Sequence, residues 1–309
     1  MPDGSWIDAD GYLHSGSRPD DTREPEHSSM GGTQLRPPAQ PSLQSSEQQD
    51  LEVRGRSQMG FRFIGFSSFK WRSVIGYVVI VQFLMYFVSL WIVTPRAGFS
   101  LNPTGKALFK IGSSNSLAEM CAFRSNFPQH IVEFRRWLVP IFLHLSPLHI
   151  LLNVYFECSC GPRIEECDSA LSFAVLFFGA GIMGNLLSDA MGINGVGGST
   201  ACYGIIGMDF ATTYRRWPEL EPEHRKSMKQ GLLQTSVMLL LWEIILWKEL
   251  DHFGHLGGFI GGFLIVLGRA KRGFLVCFGV IAVMCVWKIC VHPPTAANAA
   301  CPGLWESYA

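Results

Sequence analysis

The sequence lacks a charge of one sign. Its 309 residues carry 25 basic and 25 acidic side chains, a formal net charge of zero. Phosphate binding needs a basic surplus, so a generic nucleic-acid binder is excluded and no nucleic-acid partner is expected. Apolar side chains are scarce over residues 1–58, which are rich in Ser, Pro, Gln, Gly and charge. Such a segment buries too little to offset its ordering entropy and is read as a disordered tail. A secretory leader pattern is missing too: Met1 is followed by Asp3, Asp8 and Asp10, with no basic n-region and apolar h-region. That acidity also argues against a mitochondrial transit peptide. The expectation is that the first apolar block acts as the signal anchor. Cys158, Cys160 and Cys167 do not stand at a standard zinc spacing, so no metal and no cofactor are expected. A Cys121–Cys301 disulfide would require both residues to face an oxidising space, which sequence leaves open.

What is abundant is apolar sequence in long blocks; 48% of the chain is hydrophobic. After an interfacial approach at 59–73, containing Arg62, Lys70 and Arg72 among aromatics, seven blocks follow. They are 74–93, 138–158, 170–188, 199–214, 231–247, 250–267 and 273–291. A membrane-crossing helix needs about 20 apolar residues. The fourth block is short and the sixth is dense in glycine, which a bundle tolerates where protein covers the helix. The expected fold is therefore all-α: a polytopic membrane helical bundle with seven transmembrane helices over 74–292. It would have a long outer loop at 94–137 and a short tail at 293–309. Orientation follows from basic loops. Arg163, the run Arg215, Arg216, Arg225, Lys226, Lys229, and the group Arg269, Lys271, Arg272 all fall on one side of a seven-span count. That side and the amino terminus are read as cytosolic, and the carboxyl terminus as outside or lumenal. The loop 94–137 disagrees, since it carries six basic residues on the outer side.

Three polar clusters interrupt the apolar blocks, and such groups at membrane depth are costly enough to mark functional candidates. The first holds His144, His149 and Asn153; the last two, four residues apart, share a helix face and can both donate hydrogen bonds. They could equally bond across helices and only hold a bundle together. The second runs Gly195-Val-Gly197-Gly198-Ser199-Thr200, with Tyr203, Gly204 and Gly207 beyond. Glycines before a serine at a helix start let backbone approach a reacting atom and leave N–H groups free for an anion. Gly-x-Ser is also a common chance occurrence, and serine a good helix cap. The third contains Asp251, Gly254, His255, Gly257, Gly258, Gly261 and Gly262. Its overlapping Gly-x-x-x-Gly pairs allow near-backbone contact with another helix, and His255, Gly258 and Gly262 share a face. A histidine there could be purely structural. Taken together, a hydroxyl nucleophile, a base on a tightly packing helix and nearby donors form a catalytic constellation. Tyr203, one turn beyond Ser199, could stack on His255. Asp251 reads as a helix cap more readily than as a partner for His255. Glu243, inside the fifth block, reads as snorkelling or pairing with Lys248; a gating role is the other reading.

At these residues the sequence resembles the rhomboid family of intramembrane serine proteases. The His-x4-His-x3-Asn run is His144, His149 and Asn153, the Gly-x-Ser motif is Gly197-Gly198-Ser199, and the Gly-His-x-Gly-Gly run begins at Gly254 and His255. The resemblance covers roughly 74–292. It implies Ser199 as nucleophile and His255 as general base. It places His149, Asn153 and the Ser199 backbone in the oxyanion hole, with His144, Gly197, Tyr203, Gly258, Gly262 and Arg136 supporting. It also implies a lipid bilayer and, as substrates, transmembrane proteins whose helices are weakened by small residues. Six core spans with one added at the carboxyl end look like the eukaryotic secretory-pathway arrangement rather than the mitochondrial one. Two positions depart from the pattern. Thr200 stands where the family usually has Gly, and Arg135-Arg136 stands where it has Trp-Arg. The rival readings are an inactive rhomboid-like adaptor that binds membrane proteins and a transporter with an intramembrane His/Asn relay.

Overall fold

The computed structural model describes residues 5–7, 13–15, 69–92, 100–124, 131–167, 169–245, 250–291 and 301. The chain separates into two units, 1–49 and 50–309. In the first, β1 (Ser5–Ile7) pairs antiparallel with β2 (Leu13–Ser15), Trp6 opposite His14. The rest of the segment read as a disordered tail, and of the tail at 293–309 apart from Cys301, lies outside the described residues.

The second unit is helical. Its long helices are α1 (Val74–Trp91), α4 (Pro147–Cys167), α5 (Ala170–Ala190), α6 (Ser199–Arg216), α7 (Pro222–Ile245), α8 (His252–Ala270) and α9 (Arg272–Val291). Between α1 and α4 lie the short helices α2 (Gly105–Ile111) and α3 (Ser116–Arg124) and two 3-10 turns, Ile131–Trp137 and Val139–Phe142. The seven long helices coincide with the seven apolar blocks, as the bundle reading expects. Four of them, α1, α5, α8 and α9, are long and apolar enough by themselves to cross a membrane, with mean hydropathies of 2.0, 1.9, 1.4 and 2.5. The protein is a multi-pass membrane protein. Helix α4 contains Glu157 and α6 contains Asp209, yet both side chains are turned into protein, where intramembrane charge is tolerated. Large apolar side chains on α1 (Leu84, Phe87), α7 (Leu240, Ile244) and α9 (Val283, Trp287) are exposed, as a lipid-facing surface requires.

Element ends follow local chemistry. Ser73 caps α1 by accepting from the Gly76 N–H at 3.0 Å, and Glu165 at the far end of α4 accepts from the Val74 N–H at 2.9 Å. Asp251 caps α8 by accepting from the Gly254 N–H at 2.8 Å, as its position suggests. Several boundaries differ from the sequence reading; the fifth block, read from 231, begins as a helix at Pro222. The second block does not begin a helix at 138. Pro140 sits in the 3-10 turn and Pro147 opens α4, because proline suits the first helical turn and not the interior. Helix α4 then continues past Pro162 to Cys167, so Arg163 lies inside a helix and not in a loop.

Helix α8 occupies the centre, packing most extensively on α6 and α5. A Cβ added at Gly258 would strike the Thr200 carbonyl, and one at Gly262 the Gly204 carbonyl. On the facing side, a Cβ at Gly207 would strike the Phe259 carbonyl. The two helices thus meet backbone to backbone, which only glycine permits. Helix α7 stands apart, with only sparse backbone approach to the others.

The outer loop is built around a buried cation. Arg136 is 1% exposed and donates to Glu133 at 2.7 Å and to the Phe109 and Ser113 carbonyls, each at 2.9 Å. Its guanidinium also lies 4.2 Å from the Phe109 ring centroid. Burial alone would raise the Glu133 carboxyl, but Arg136 and Arg135 outweigh it and hold it below the usual carboxylate range. Glu119 on α3 is fully buried beside Asp189 and Trp137, and burial pushes its carboxyl up to about 7. The Cys121–Cys301 disulfide ties α3 to the carboxyl-terminal segment.

Two outcomes are expected. Gly258→Val should drive α6 and α8 apart and cost at least the about 1–3 kcal/mol of an overpacked core, read as a fall in thermal midpoint in detergent. Glu119, with its folded value raised from 4.5 to about 7, binds more protons folded than unfolded across that interval. Stability should therefore decline as pH rises through it. Glu119→Gln should flatten the midpoint-versus-pH curve over the same interval.

Candidate active site

Ser199 is the first residue of α6, and the residue before it, Gly198, offers no side-chain cap. The N–H groups of the first helical turn are therefore unclaimed by a cap and point where an anion would be bound. Gly197 has φ of 136°, a conformation that favours glycine. A Cβ there would lie 2.8 Å from His149 Nε2 and 3.4 Å from Ser199 Oγ. The Gly197 N–H donates to the Pro140 carbonyl at 2.8 Å, fixing the loop that delivers the serine.

The backbone contact between α6 and α8 brings His255 to that serine. His255 Nε2 lies 3.0 Å from Ser199 Oγ, the distance at which a hydroxyl proton can be shared. Tyr203 stacks on the imidazole with ring centroids 4.1 Å apart and planes 8° from parallel. On the far side of the ring, His255 Nδ1 lies 2.6 Å from Glu243 Oε1. Tyr203 also donates its hydroxyl to Glu243 Oε1 at 2.6 Å, and His252 Nδ1 contacts Oε2. Sequence reasoning left Glu243 to snorkelling or to Lys248; its partners are Tyr203, His252 and His255, and Lys248 lies outside the described residues. The carboxylate itself was visible in the sequence, twelve residues before His255; its partners on α6 and α8 were not.

The remaining expected residues divide. His149 accepts the Leu145 N–H on Nδ1 at 3.4 Å, which leaves Nε2 protonated and facing the Gly197 loop. His144 is fully buried, its ring packed edge-on against His149 at 5.1 Å. Asn153 donates to the His149 carbonyl at 3.0 Å and accepts weakly from the Cys202 thiol, so one amide N–H is turned along its own helix. Arg136 lies in the outer-loop core and does not reach the serine. Asp251 is occupied by the α8 cap and by the Ser188 hydroxyl at 2.6 Å. Thr200 is buried, with its methyl group in the space that Gly184 and Gly254 leave open. Behind the serine, the buried Glu157 accepts from Gln82 at 2.8 Å. A Cβ at Gly198 would meet both of these side chains, so the pair backs the start of α6; sequence reading missed it. Among the described residues no cluster of His, Cys, Asp and Glu suits a metal ion.

A cleft of about 380 Å³ opens above these groups, lined by Ser199, His255 and His149, by the 193–196 loop and by Phe109 and Asn115 of the outer loop. The fold is that of a polytopic helical membrane bundle, with a serine, an imidazole and a carboxylate in line beneath a cleft. Comparison with known proteins places it further. Residues 132–272 match the Rhomboid domain. The chain is 30% identical over 266 residues to Rhomboid-like protease 3 of Toxoplasma gondii, covering 82% of this chain and 95% of that protein. It is 32% identical over 215 residues to Rhomboid-like protease 1 of the same organism, covering 67% and 68%. Inactive rhomboid protein 2 of Homo sapiens is 29% identical over 135 residues, 43% of this chain and 15% of that protein. The chain belongs to the rhomboid family.

Gly197→Ala should place a methyl group against His149 and force the loop out of its left-handed conformation. Reaction of Ser199 with a fluorophosphonate probe should slow by at least about tenfold, the equivalent of roughly 1.4 kcal/mol, with a near-normal thermal midpoint.

Proposed function

We propose that the protein is an intramembrane serine endopeptidase that cleaves transmembrane or juxtamembrane segments of membrane proteins. The observation that carries this is the 3.0 Å approach of His255 Nε2 to Ser199 Oγ at the floor of the cleft. A substrate helix reaches the site from the bilayer and unwinds at small residues, presenting a carbonyl carbon to Ser199. As Oγ bonds to that carbon, His255 takes the hydroxyl proton and the carbonyl pair moves onto oxygen. The Ser199 N–H and His149 Nε2–H are arranged to receive that oxyanion, with Asn153 able to join through its second amide N–H. Collapse expels the amine, which leaves with the proton from His255, and water then hydrolyses the acyl-enzyme by the same steps. Thr200 does not obstruct this path, because its side chain packs away from the cleft.

The site lies toward the outer loop, so water reaches it from that side. The Cys121–Cys301 bond joins the outer loop to the carboxyl-terminal segment. Such a bond persists in an oxidising space, which supports an outer or lumenal carboxyl terminus and a cytosolic amino terminus. The same bond favours a secretory-pathway or plasma membrane over the mitochondrial inner membrane. An inactive adaptor is the competing class, since inactive rhomboids are among the relatives.

Ser199→Ala and His255→Ala should each abolish cleavage of a reporter transmembrane segment, and a fluorophosphonate probe should label wild-type protein at Ser199. Loss of one oxyanion donor, His149→Ala, should reduce the rate by about 10²–10³. Undiminished cleavage by Ser199→Ala would overturn the mechanism, and absence of labelling would favour the adaptor.

A further inference from the structure

Helix α7 carries one acidic side chain among apolar neighbours near its outer end, and the partners of that side chain are unusual. Leu240, Leu241, Ile244 and Ile245 are exposed on the lipid-facing surface. Glu243 points the other way, into the cleft wall, with its side chain 20% exposed. A carboxylate at that depth is costly unless it is paired. Oxygen Oε1 sits 2.6 Å from both the Tyr203 hydroxyl and His255 Nδ1, and Oε2 contacts His252 Nδ1. Attachment of α7 to the bundle would need only Tyr203 and His252. The contact with Nδ1 is different in kind, because Nδ1 is the ring nitrogen opposite the one that meets Ser199.

From this we infer that Glu243 is a positioning residue for the base, so that the site works as a Ser199–His255–Glu243 triad. The inference rests on the Ser199–His255 reading above. An imidazole has one proton to place when neutral. A carboxylate on Nδ1 holds the proton there and leaves the Nε2 lone pair facing the serine. When Nε2 then takes the Ser199 proton, the ring becomes an imidazolium beside a full negative charge. Glu243 gives up no electrons and takes no proton; its charge lowers the energy of the charged ring. Tyr203 joins both functions, stacking on the imidazole face while its hydroxyl holds the same carboxylate oxygen.

The groups about the ring are Glu243 of α7 on Nδ1, Tyr203 of α6 on its face and, across the cleft, His149 of α4, with His252 on the other oxygen of Glu243. Glu243 is the acid among these; Asp251 is committed to the Gly254 N–H and the Ser188 hydroxyl.

The experiment compares full-length wild-type chain, Glu243→Gln and Glu243→Asp in liposomes, cleaving a transmembrane reporter. Glu243→Gln should lower kcat by about 10²–10⁴ and leave KM within about threefold. Glu243→Asp should recover part of the lost kcat. A Glu243→Gln enzyme with wild-type kcat, or a loss of kcat that Glu243→Asp does not recover, would reduce the residue to a structural tie. A second measurement needs no change at 243. Ring-nitrogen NMR of wild-type protein, assigned by the signal lost in His255→Ala, should show neutral His255 protonated on Nδ1. Protonation on Nε2 would overturn the triad. Cleavage that survives Ser199→Ala would instead reject the serine mechanism itself, whereas Ser199-dependent cleavage indifferent to Glu243→Gln would reject this inference alone.

Discussion

The backbone contact between α6 and α8 is the constraint on which the rest depends. Ser199 and His255 belong to different helices, so their meeting depends on how closely and in what rotation those helices pack. Helices with ordinary side chains between them sit about 8–10 Å apart, and this pair approaches backbone to backbone. Gly258 and Gly262 against Gly204 and the Thr200 carbonyl remove the spacing atoms. What is gained in a membrane is mainly close packing, since lipid is as apolar as the helix surfaces it leaves. The glycine ridge thus holds the bundle together and sets the Ser199–His255 distance by the same atoms.

Polar groups are kept off lipid by burial in two separate layers. Around the outer loop, Arg136 gathers Glu133 and two carbonyls, while Glu119, Asp189 and Trp137 meet beneath α3. Behind the serine, Gln82 and Glu157 back the Gly198 turn. The cleft lies between these layers, so one side of Ser199 is backed by buried side chains and the other faces the cleft. Helix α7 is the least embedded part of this frame, and the Glu243 cluster is where it engages the His255 ring.

Much of the fold was legible in the sequence. The seven apolar blocks became seven helices, because length and hydropathy are local properties. Helix ends were less legible. Proline at 147 starts α4 and proline at 162 lies inside it, and the difference is set by neighbours, which supply or withhold partners for the freed backbone groups. Span composition alone would also have missed α4, α6 and α7, which carry charged residues; Glu157 of α4 and Asp209 of α6 are buried only because other helices cover them.

For the site, sequence determined the chemistry on offer: a serine opening a helix after glycines, a histidine on a glycine face, and a His/Asn pair one turn apart. Periodicity fixes which residues share a face, and that is enough to name those groups. Tertiary structure decided which of them meet. It set His255 against Ser199, turned one amide N–H of Asn153 along its own helix, spent Asp251 on a cap and brought Glu243 to the far side of the imidazole. The reason is that a contact between helices depends on their relative rotation and separation, and no residue's own helix encodes either.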